Sequence, residues 1–295
     1  MEKKNIPIQS LFVFLEFITF IAVAAILGLM IFGVGSLIFD TSFDSQGVGI
    51  NPITELVNYY LPLTFIFLLA TYIVKVLIFK IPEIALGFNG RRVMKDSLLG
   101  WGLGFVLVGG GFVILLIFNQ VEVDGYDFSP FYFFGFIIFF IVQSFSEEIL
   151  FRGFLIPMIQ YRLGTMTALI ISSLLFFMVH LGNPNASFLG MINLIIGGLL
   201  MGLLFLKYKN IWAPTGFHAS WNFVQSAFLG FPVSGLEIHS LVDLEETGND
   251  YITGGAFGYE GSLVSIIILL LCIAYLLKSD KRLYRYLFEP VHHSS

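Results

Sequence analysis

The sequence predicts an all-α membrane protein, a polytopic bundle of about eight transmembrane helices with both termini in the cytosol. Three observations support this prediction. Hydrophobic residues make up 57% of the chain and charged residues only 12%, whereas soluble domains contain about 25% charged residues. Apolar runs long enough to span a bilayer recur along the chain. The basic residues also fall on one side of the resulting map.

The apolar runs define eight candidate spans within a single membrane domain, residues 1–295. Residues 1–130 contain spans one to three, residues 131–229 form a core of four spans, and residues 262–295 hold the last span and a cytosolic tail. The spans lie at residues 11–38, 57–79, 97–118, 131–156, 165–181, 188–206, 211–229 and 262–278.

The charge distribution supports this map. With the N-terminus in the cytosol, all 15 Lys and Arg residues fall on the cytosolic side, and the charged residues of the external connections are all Asp or Glu. This arrangement obeys the positive-inside rule, and we expect a multi-pass protein of the plasma membrane. The net charge of −5 averages a basic inner face and an acidic outer face, so it predicts no nucleic-acid partner.

The first three spans contain little polar chemistry. We expect Glu16 at the cytosolic interface, where it reaches the interface or pairs with Lys3 or Lys4. Span three is rich in glycine, which lets neighbouring helices approach closely or lets the span flex. Its glycines are Gly100, Gly102, Gly104, Gly109, Gly110 and Gly111.

Span four places charges inside an apolar run, at Glu147, Glu148 and Arg152. Such charges cost roughly 2.5–3.5 kcal/mol each on insertion scales and are candidates for function. Successive helical residues point about 100° apart, so we expect the two carboxylates to face different targets. Glu148 and Arg152 have the i, i+4 spacing of a helical ion pair, which leaves Glu147 for chemistry. The alternative is that all three form a packing or anchoring network at the membrane edge.

Two histidines follow on later spans. Glu147 lies 17 residues before the predicted turn at Gly164, and His180 lies 16 residues after it. In an antiparallel hairpin these side chains are at the same depth, ~25 Å from the turn, and can meet. On span seven, His218 and Asn222 share one helix face, and polar side chains inside an apolar span usually have partners.

Together these residues resemble the motifs of the CPBP intramembrane proteases, which include the type II CAAX prenyl endopeptidases and the Abi bacteriocin-processing or immunity proteins. The family motifs are E-E-x-x-x-R, F-x-x-x-H and H-x-x-x-N/B. They occur here in order, each on its own predicted span, and the likeness covers about residues 140–225. The matching segments are Glu147–Arg152, Phe176–His180 and His218–Asn222.

The resemblance implies that the chain hydrolyses a peptide bond within or near the membrane, with the active site toward the cytosolic side. Glu147 would then act as general base on a water molecule that His180 helps to hold. His218 and Asn222 would donate hydrogen bonds to the developing oxyanion. The ion pair of Glu148 with its arginine would support the site.

The sequence leaves the metal question open. Two histidines and a glutamate can hold Zn²⁺ with one position free for water. The ligands would be His180, His218 and either Glu147 or Glu148. A glutamate mechanism without metal uses the same residues, and we expect that form because there is no His-Glu-x-x-His motif.

We expect the partners to be the lipid bilayer and a hydrophobic or leader-type peptide; the sequence assigns no oligomeric state. A non-catalytic immunity or scaffold protein that binds a peptide in the same polar core is the main alternative. A secondary transporter with Glu147 and Glu148 as a proton relay is a weaker one. It would be expected to have an inverted pair of broken helices, which the sequence does not suggest.

Overall fold

The protein is built almost entirely from helices, as predicted. A computed structural model describes residues 6–38, 50–80 and 87–288, so Lys3 and Lys4 lie outside the described residues. Each of the eight predicted spans falls on one of the first eight helices. The helices of eight or more residues are α1 Ile6–Ile38, α2 Pro52–Ile78, α3 Gly90–Ile117, α4 Pro130–Leu163, α5 Thr165–Val179, α6 Phe188–Tyr208, α7 Trp212–Phe223, α8 Leu263–Ser279 and α9 Lys281–Phe288.

Not every helix is long enough to cross a bilayer. Among the described residues, α1, α2, α3, α4 and α6 have the length and composition of membrane spans. Helices α8 and α9 are bent by 98° and make a sixth span if they are counted as one. Helix α5 is apolar but has 15 residues. The chain is therefore a multi-pass membrane protein, and the eight crossings and cytosolic termini stay predictions.

A small β-sheet departs from the predicted all-α fold. Strands β1, Val121–Tyr126, and β2, Val242–Glu246, pair antiparallel in two connections that the sequence analysis treated as loops. Acidic residues in both segments obscured the alternating pattern that predicts a strand. In β1 they alternate with valines, and the Val121 side chain is buried, which is the pattern of a strand with one face covered.

Helices α3 and α7 touch through their backbones at two glycines of α3, Gly100 and Gly104. A Cβ atom built on Gly100 would lie 2.0 Å from the carbonyl oxygen of Ala213, and one on Gly104 would lie 2.8 Å from that of Phe217. Real Cβ atoms essentially never come within 3.0 Å of such a neighbour. This contact sets the position of α7 relative to the rest of the bundle.

Glu16 does not reach the solvent, and it has partners that the sequence analysis did not consider. This carboxylate is fully buried and forms ion pairs with Lys75, at 3.5 Å, and with Arg162. Helix α1 packs against both α2 and the end of α4, where these basic side chains require a counter-ion. The sequence analysis considered only partners close in the chain and therefore missed the pairing.

We predict that Gly104→Ala destabilises the protein. The added methyl group would be forced against the backbone of α7, and overpacking of this kind costs about 1–3 kcal/mol. Gly102→Ala is the matched control, because a Cβ there meets no atom within 4 Å, and alanine favours a helix over glycine by about 0.5–1 kcal/mol. Thermal unfolding in detergent should show a lower Tm for Gly104→Ala only. Equal Tm values for the two variants would contradict the backbone contact.

Candidate active site

The charged residues of α4 lie where the helix changes its hydrogen-bonding pattern. The α-helical part ends at Glu148 and continues as a π-helical stretch, Ile149–Leu155, without a break in the span. Such stretches are uncommon and often occur at functional sites. Arg152 lies inside the stretch, one turn beyond Glu148, and is thereby directed to the interior of the bundle.

The predicted ion pair between Glu148 and Arg152 is present. The Nη1 atom of Arg152 lies 2.7 Å from Glu148 Oε1, and both side chains are fully buried. Arg152 Nη2 also donates to the carbonyl oxygen of Gly198 at 3.1 Å, and the guanidinium lies 4.9 Å from the ring centre of Phe176. The buried charge thus has an ionic partner, a hydrogen-bond acceptor and an aromatic face.

His218 links the two carboxylates. Its Nδ1 lies 3.1 Å from Glu148 Oε1, and its Nε2 lies 3.9 Å from Glu147 Oε2. The direct partners of the two carboxylates differ, as expected, because Glu148 pairs with Arg152 and Glu147 accepts from Gln143; His218 nevertheless lies near both. An imidazole ring has nitrogens on two sides, so one ring on α7 reaches both carboxylates even though they diverge on α4.

The predicted meeting of His180 and Glu147 is confirmed. Gly164, with φ +92°, makes the turn between α4 and α5, and His180 directly follows α5. Its Nε2 lies 3.8 Å from Glu147 Oε2. Its Nδ1 lies 2.7 Å from the carbonyl oxygen of Phe176. Because a carbonyl only accepts, we assign the hydrogen to Nδ1, which leaves the Nε2 lone pair facing the carboxylate in the neutral ring.

Glu147 has one satisfied and one unsatisfied oxygen. Oε1 accepts a hydrogen bond from Gln143 Nε2, whereas Oε2 is buried and has no hydrogen-bond partner within the described ranges. The Oε1 atom of Gln143 accepts in turn from Asn222 Nδ2 at 3.2 Å. The sequence analysis gave no role to Gln143, although a polar residue one helical turn before Glu147 in an apolar span was a usable signal.

Two cavities meet at these residues. A small polar cavity of about 60 Å³ lies on one side, and an aromatic cavity of about 400 Å³ on the other. They share Gln143, His180, Asn222 and Ser234. The aromatic cavity is also lined by Glu147, Tyr59, Tyr60, Phe136, Phe139 and Phe140. The polar cavity is also lined by Asn193, His218, Trp221 and Glu260.

Glu260 is a buried carboxylate near the site, like Glu148, and the sequence analysis missed it. It belongs to the connection between β2 and α8, and accepts hydrogen bonds from the backbone N–H of Ser234 and, at 2.7 Å, from its hydroxyl. Burial raises the pKa of Glu260 above its ordinary value of 4.5, against the opposite influence of Ser234, His180 and His218. A single acid in a glycine-rich loop has no periodic pattern that would reveal it.

The residues that line the aromatic cavity indicate from which side of the membrane the site is reached. The aromatic cavity is lined by Tyr59 near the start of α2, Phe136 near the start of α4, and Ser234 in the connection that follows α7. The charge distribution assigns these ends of the bundle to the outside. The predicted topology and the expected cytosolic-facing site therefore do not fit together.

The proposed zinc ligands are not assembled in this arrangement. Within the part of the chain that the structure describes, no group of three or more His, Cys, Asp or Glu side chains could hold a metal ion. Glu148 is paired with Arg152, and His218 Nδ1 is directed at Glu148. The residues present do not fit a zinc centre, and no step of the reaction is assigned to a metal.

Comparison with known protein families agrees with this geometry. Residues 129–224 match the family model described as type II CAAX prenyl endopeptidase Rce1-like. This segment is an Rce1-like domain. It extends from the residue before α4 to just beyond Asn222 and contains all six predicted site residues. The match confirms the resemblance to the CPBP proteases. A search of curated proteins finds no match to the chain.

The Rce1-like domain identifies a class of activity in general terms, that of a CAAX-type intramembrane endopeptidase, which is a hydrolase of peptide bonds. The family also agrees with the helices long enough to cross a bilayer and with a lipid-embedded protein that acts on peptides. Within this domain, α4, α5 and α7 contribute residues that line the site. Ser234 and Glu260, which line the polar cavity, lie beyond its C-terminal boundary.

We predict that Glu260→Gln changes the pH dependence of stability. Gln keeps an acceptor for Ser234 but cannot ionise. Because burial raises the pKa of Glu260, its contribution to the free energy of unfolding is complete below its ordinary value of 4.5 and is lost as pH rises through the raised pKa. The Tm of the variant minus that of wild type should therefore increase as pH rises above 4.5.

Glu237→Gln is the control for this measurement, because Glu237 is an exposed carboxylate in the connection between α7 and β2. Its Tm difference from wild type should stay constant over the same pH range. A constant difference for Glu260→Gln as well would show that burial does not disfavour ionisation of this carboxyl.

Proposed function

We propose that the chain is an intramembrane endopeptidase that hydrolyses a peptide bond of a membrane-associated or leader-type peptide, with Glu147 as general base. One observation carries the proposal. Glu147 Oε2 has no hydrogen bond within the described residues, and the Nε2 atoms of His180 and His218 lie 3.8 and 3.9 Å from it. These gaps are too long for direct hydrogen bonds and fit a bridging water.

In the first half of the reaction, Glu147 takes a proton from this water, and the hydroxide adds to the carbonyl carbon of the substrate. His180 orients the water. Its Nδ1–H is directed at the Phe176 carbonyl, so its Nε2 accepts a hydrogen bond from the water. Gln143 holds the other oxygen of Glu147 and thereby fixes the direction of the base.

The addition moves the π electrons of the carbonyl onto its oxygen, and Asn222 and His218 donate to this oxyanion, in a role worth ~3–4 kcal/mol in a protease. The amide of Asn222 has one N–H directed at Gln143 and a second one available. Because His218 Nδ1 faces Glu148, its Nε2 donates when both ring nitrogens carry hydrogen. Glu147 then passes its proton to the amide nitrogen, the C–N bond breaks, and a carboxylic acid and an amine leave.

The aromatic cavity is the proposed route for the substrate. Its volume of about 400 Å³ lies in the range of ligand-binding sites, ~300–1,000 Å³. Rings such as those of Tyr60 and Phe139 suit the apolar side chains of a membrane-associated peptide. With the topology predicted from the charges, the mouth of this cavity lies in the outer half of the plasma membrane, and we propose that the peptide enters from there.

We predict that Glu147→Gln abolishes peptide cleavage. Gln keeps the shape of the side chain but cannot accept the proton, and loss of a general base lowers turnover by about 10²–10⁴-fold. The measurement uses purified protein in nanodiscs with a set of hydrophobic and leader-type peptides and detection of the fragments by mass spectrometry. Glu122→Gln, the same change at an exposed position on β1, should cleave like wild type.

The binding of the same peptides separates this proposal from the non-catalytic alternative. Glu147→Gln should still bind a peptide that wild type cleaves. If wild type and Glu147→Gln bind a peptide equally and neither cleaves it, the polar core is a recognition site. Cleavage by Glu147→Gln at the wild-type rate would remove Glu147 from the role of base.

We also predict that cleavage survives metal removal. Wild-type protein treated with a strong chelator and dialysed should keep its activity, because the proposed reaction assigns every proton transfer to protein groups. Elemental analysis provides the check. Zinc that remains stoichiometric after chelation in wild type and is absent from His180→Ala would contradict the metal-free reaction.

A further inference from the structure

A large basic cavity lies at the end of the bundle opposite the acidic external connections. It has a volume of about 650 Å³ and is formed where α3 begins, where α4 and α6 end, and beneath α9. We call it the inner basic cavity. Four basic side chains line it, against one acidic side chain, Asp280. The basic side chains are Arg92, Lys207, Lys209 and Arg282.

The positive charge of this cavity is only partly neutralised. Arg92 Nη2 lies 3.2 Å from Asp96, and Lys207 Nζ lies 3.7 Å from Asp280. Lys209 and Arg282 form no ion pair with any residue that the structure describes. Two cationic side chains therefore face a shared cavity without a counter-ion from the described chain, an arrangement that attracts an anion.

The walls of the cavity are held by specific contacts. Asp280 caps α9 by accepting from the backbone N–H groups of Arg282, at 3.1 Å, and Leu283, at 3.0 Å. These bonds hold the pKa of Asp280 below its ordinary value, so that it stays ionised. A hydrogen bond from Gln160 to the Tyr286 hydroxyl ties α9 to the end of α4. Arg282 is thereby kept at the cavity.

The position of the cavity indicates what kind of anion it receives. Helix α9 is bent by 98° from the apolar helix α8 and carries Lys281, Arg282 and Arg285 beside Leu283 and Leu287. A short basic amphipathic helix at the end of a membrane span is typical of an element that lies in the interfacial plane. The cavity beneath it is therefore at the level of lipid headgroups on the basic side.

We propose that the inner basic cavity binds a phosphate-bearing anion, with Lys209 and Arg282 as its principal cationic contacts. The headgroup of an anionic phospholipid of the inner leaflet and a soluble phosphate compound share this chemistry. The position at the interface and the apolar wall residues Phe205 and Leu206 favour the lipid. Basic pockets between transmembrane helices on the cytosolic side are known to receive such headgroups. This binding is independent of peptide cleavage.

The test uses the full-length protein in nanodiscs of phosphatidylcholine with added phosphatidylglycerol, and measures retained phosphatidylglycerol by native mass spectrometry. The double variant Lys209→Asn/Arg282→Gln should retain about tenfold less than wild type. Asn is chosen because Lys209 has a positive φ, 53°, which Asn tolerates. Lys95→Gln/Lys281→Gln removes two exposed charges outside the cavity and should retain the wild-type amount.

Folding is checked by the Tm in pure phosphatidylcholine, which should be the same for all three proteins. A second arm adds sodium phosphate or glycerol 3-phosphate to protein in zwitterionic detergent. A rise in Tm for wild type that the cavity variant lacks would identify a soluble phosphate as a ligand of the same cavity. Equal phosphatidylglycerol retention by both double variants, without phosphate-dependent stabilisation of wild type, would overturn the proposal.

Discussion

The buried charge of Arg152 is the constraint on which the rest of the site depends. A guanidinium among packed helices requires an anion, and Glu148 supplies it from one turn earlier. The same carboxylate oxygen holds Nδ1 of His218. The ring then turns its other nitrogen toward Glu147. A pair that neutralises itself on α4 thus orients a histidine on α7, and the two helices are fixed relative to each other by charge as well as by packing.

The parts of the site that follow from local geometry were predictable from the sequence. The i, i+4 spacing gave the ion pair of Glu148 with Arg152, and counting from Gly164 gave the meeting of Glu147 and His180. Both depend only on the rise and rotation of a helix. Gln143 had the same kind of signal, at i−4 from Glu147. It was not predicted because a neutral amide in an apolar run is a weaker indication of function than a charge.

The parts that depend on chain segments far apart were not predictable in this way. Glu16 pairs with Arg162 across 146 positions of the sequence, and β1 pairs with a strand in the connection after α7. Glu260 reaches the polar cavity from a loop beyond the Rce1-like domain. No periodicity connects such residues. The apolar runs located the first eight helices but not the basic helix α9, and the length of each helix, which decides whether it crosses the bilayer, depends on where packing ends it.

The small polar cavity has a consequence for a hydrolase embedded in lipid. Its volume of about 60 Å³ exceeds several times the ~10–15 Å³ that one water requires, and its amide, imidazole and carboxyl groups are the partners that buried water needs. The second reactant of every hydrolysis can therefore be stored next to His180 and His218 before a peptide arrives. In the proposed reaction, a peptide in the aromatic cavity closes one approach to Glu147 and leaves this internal supply in place.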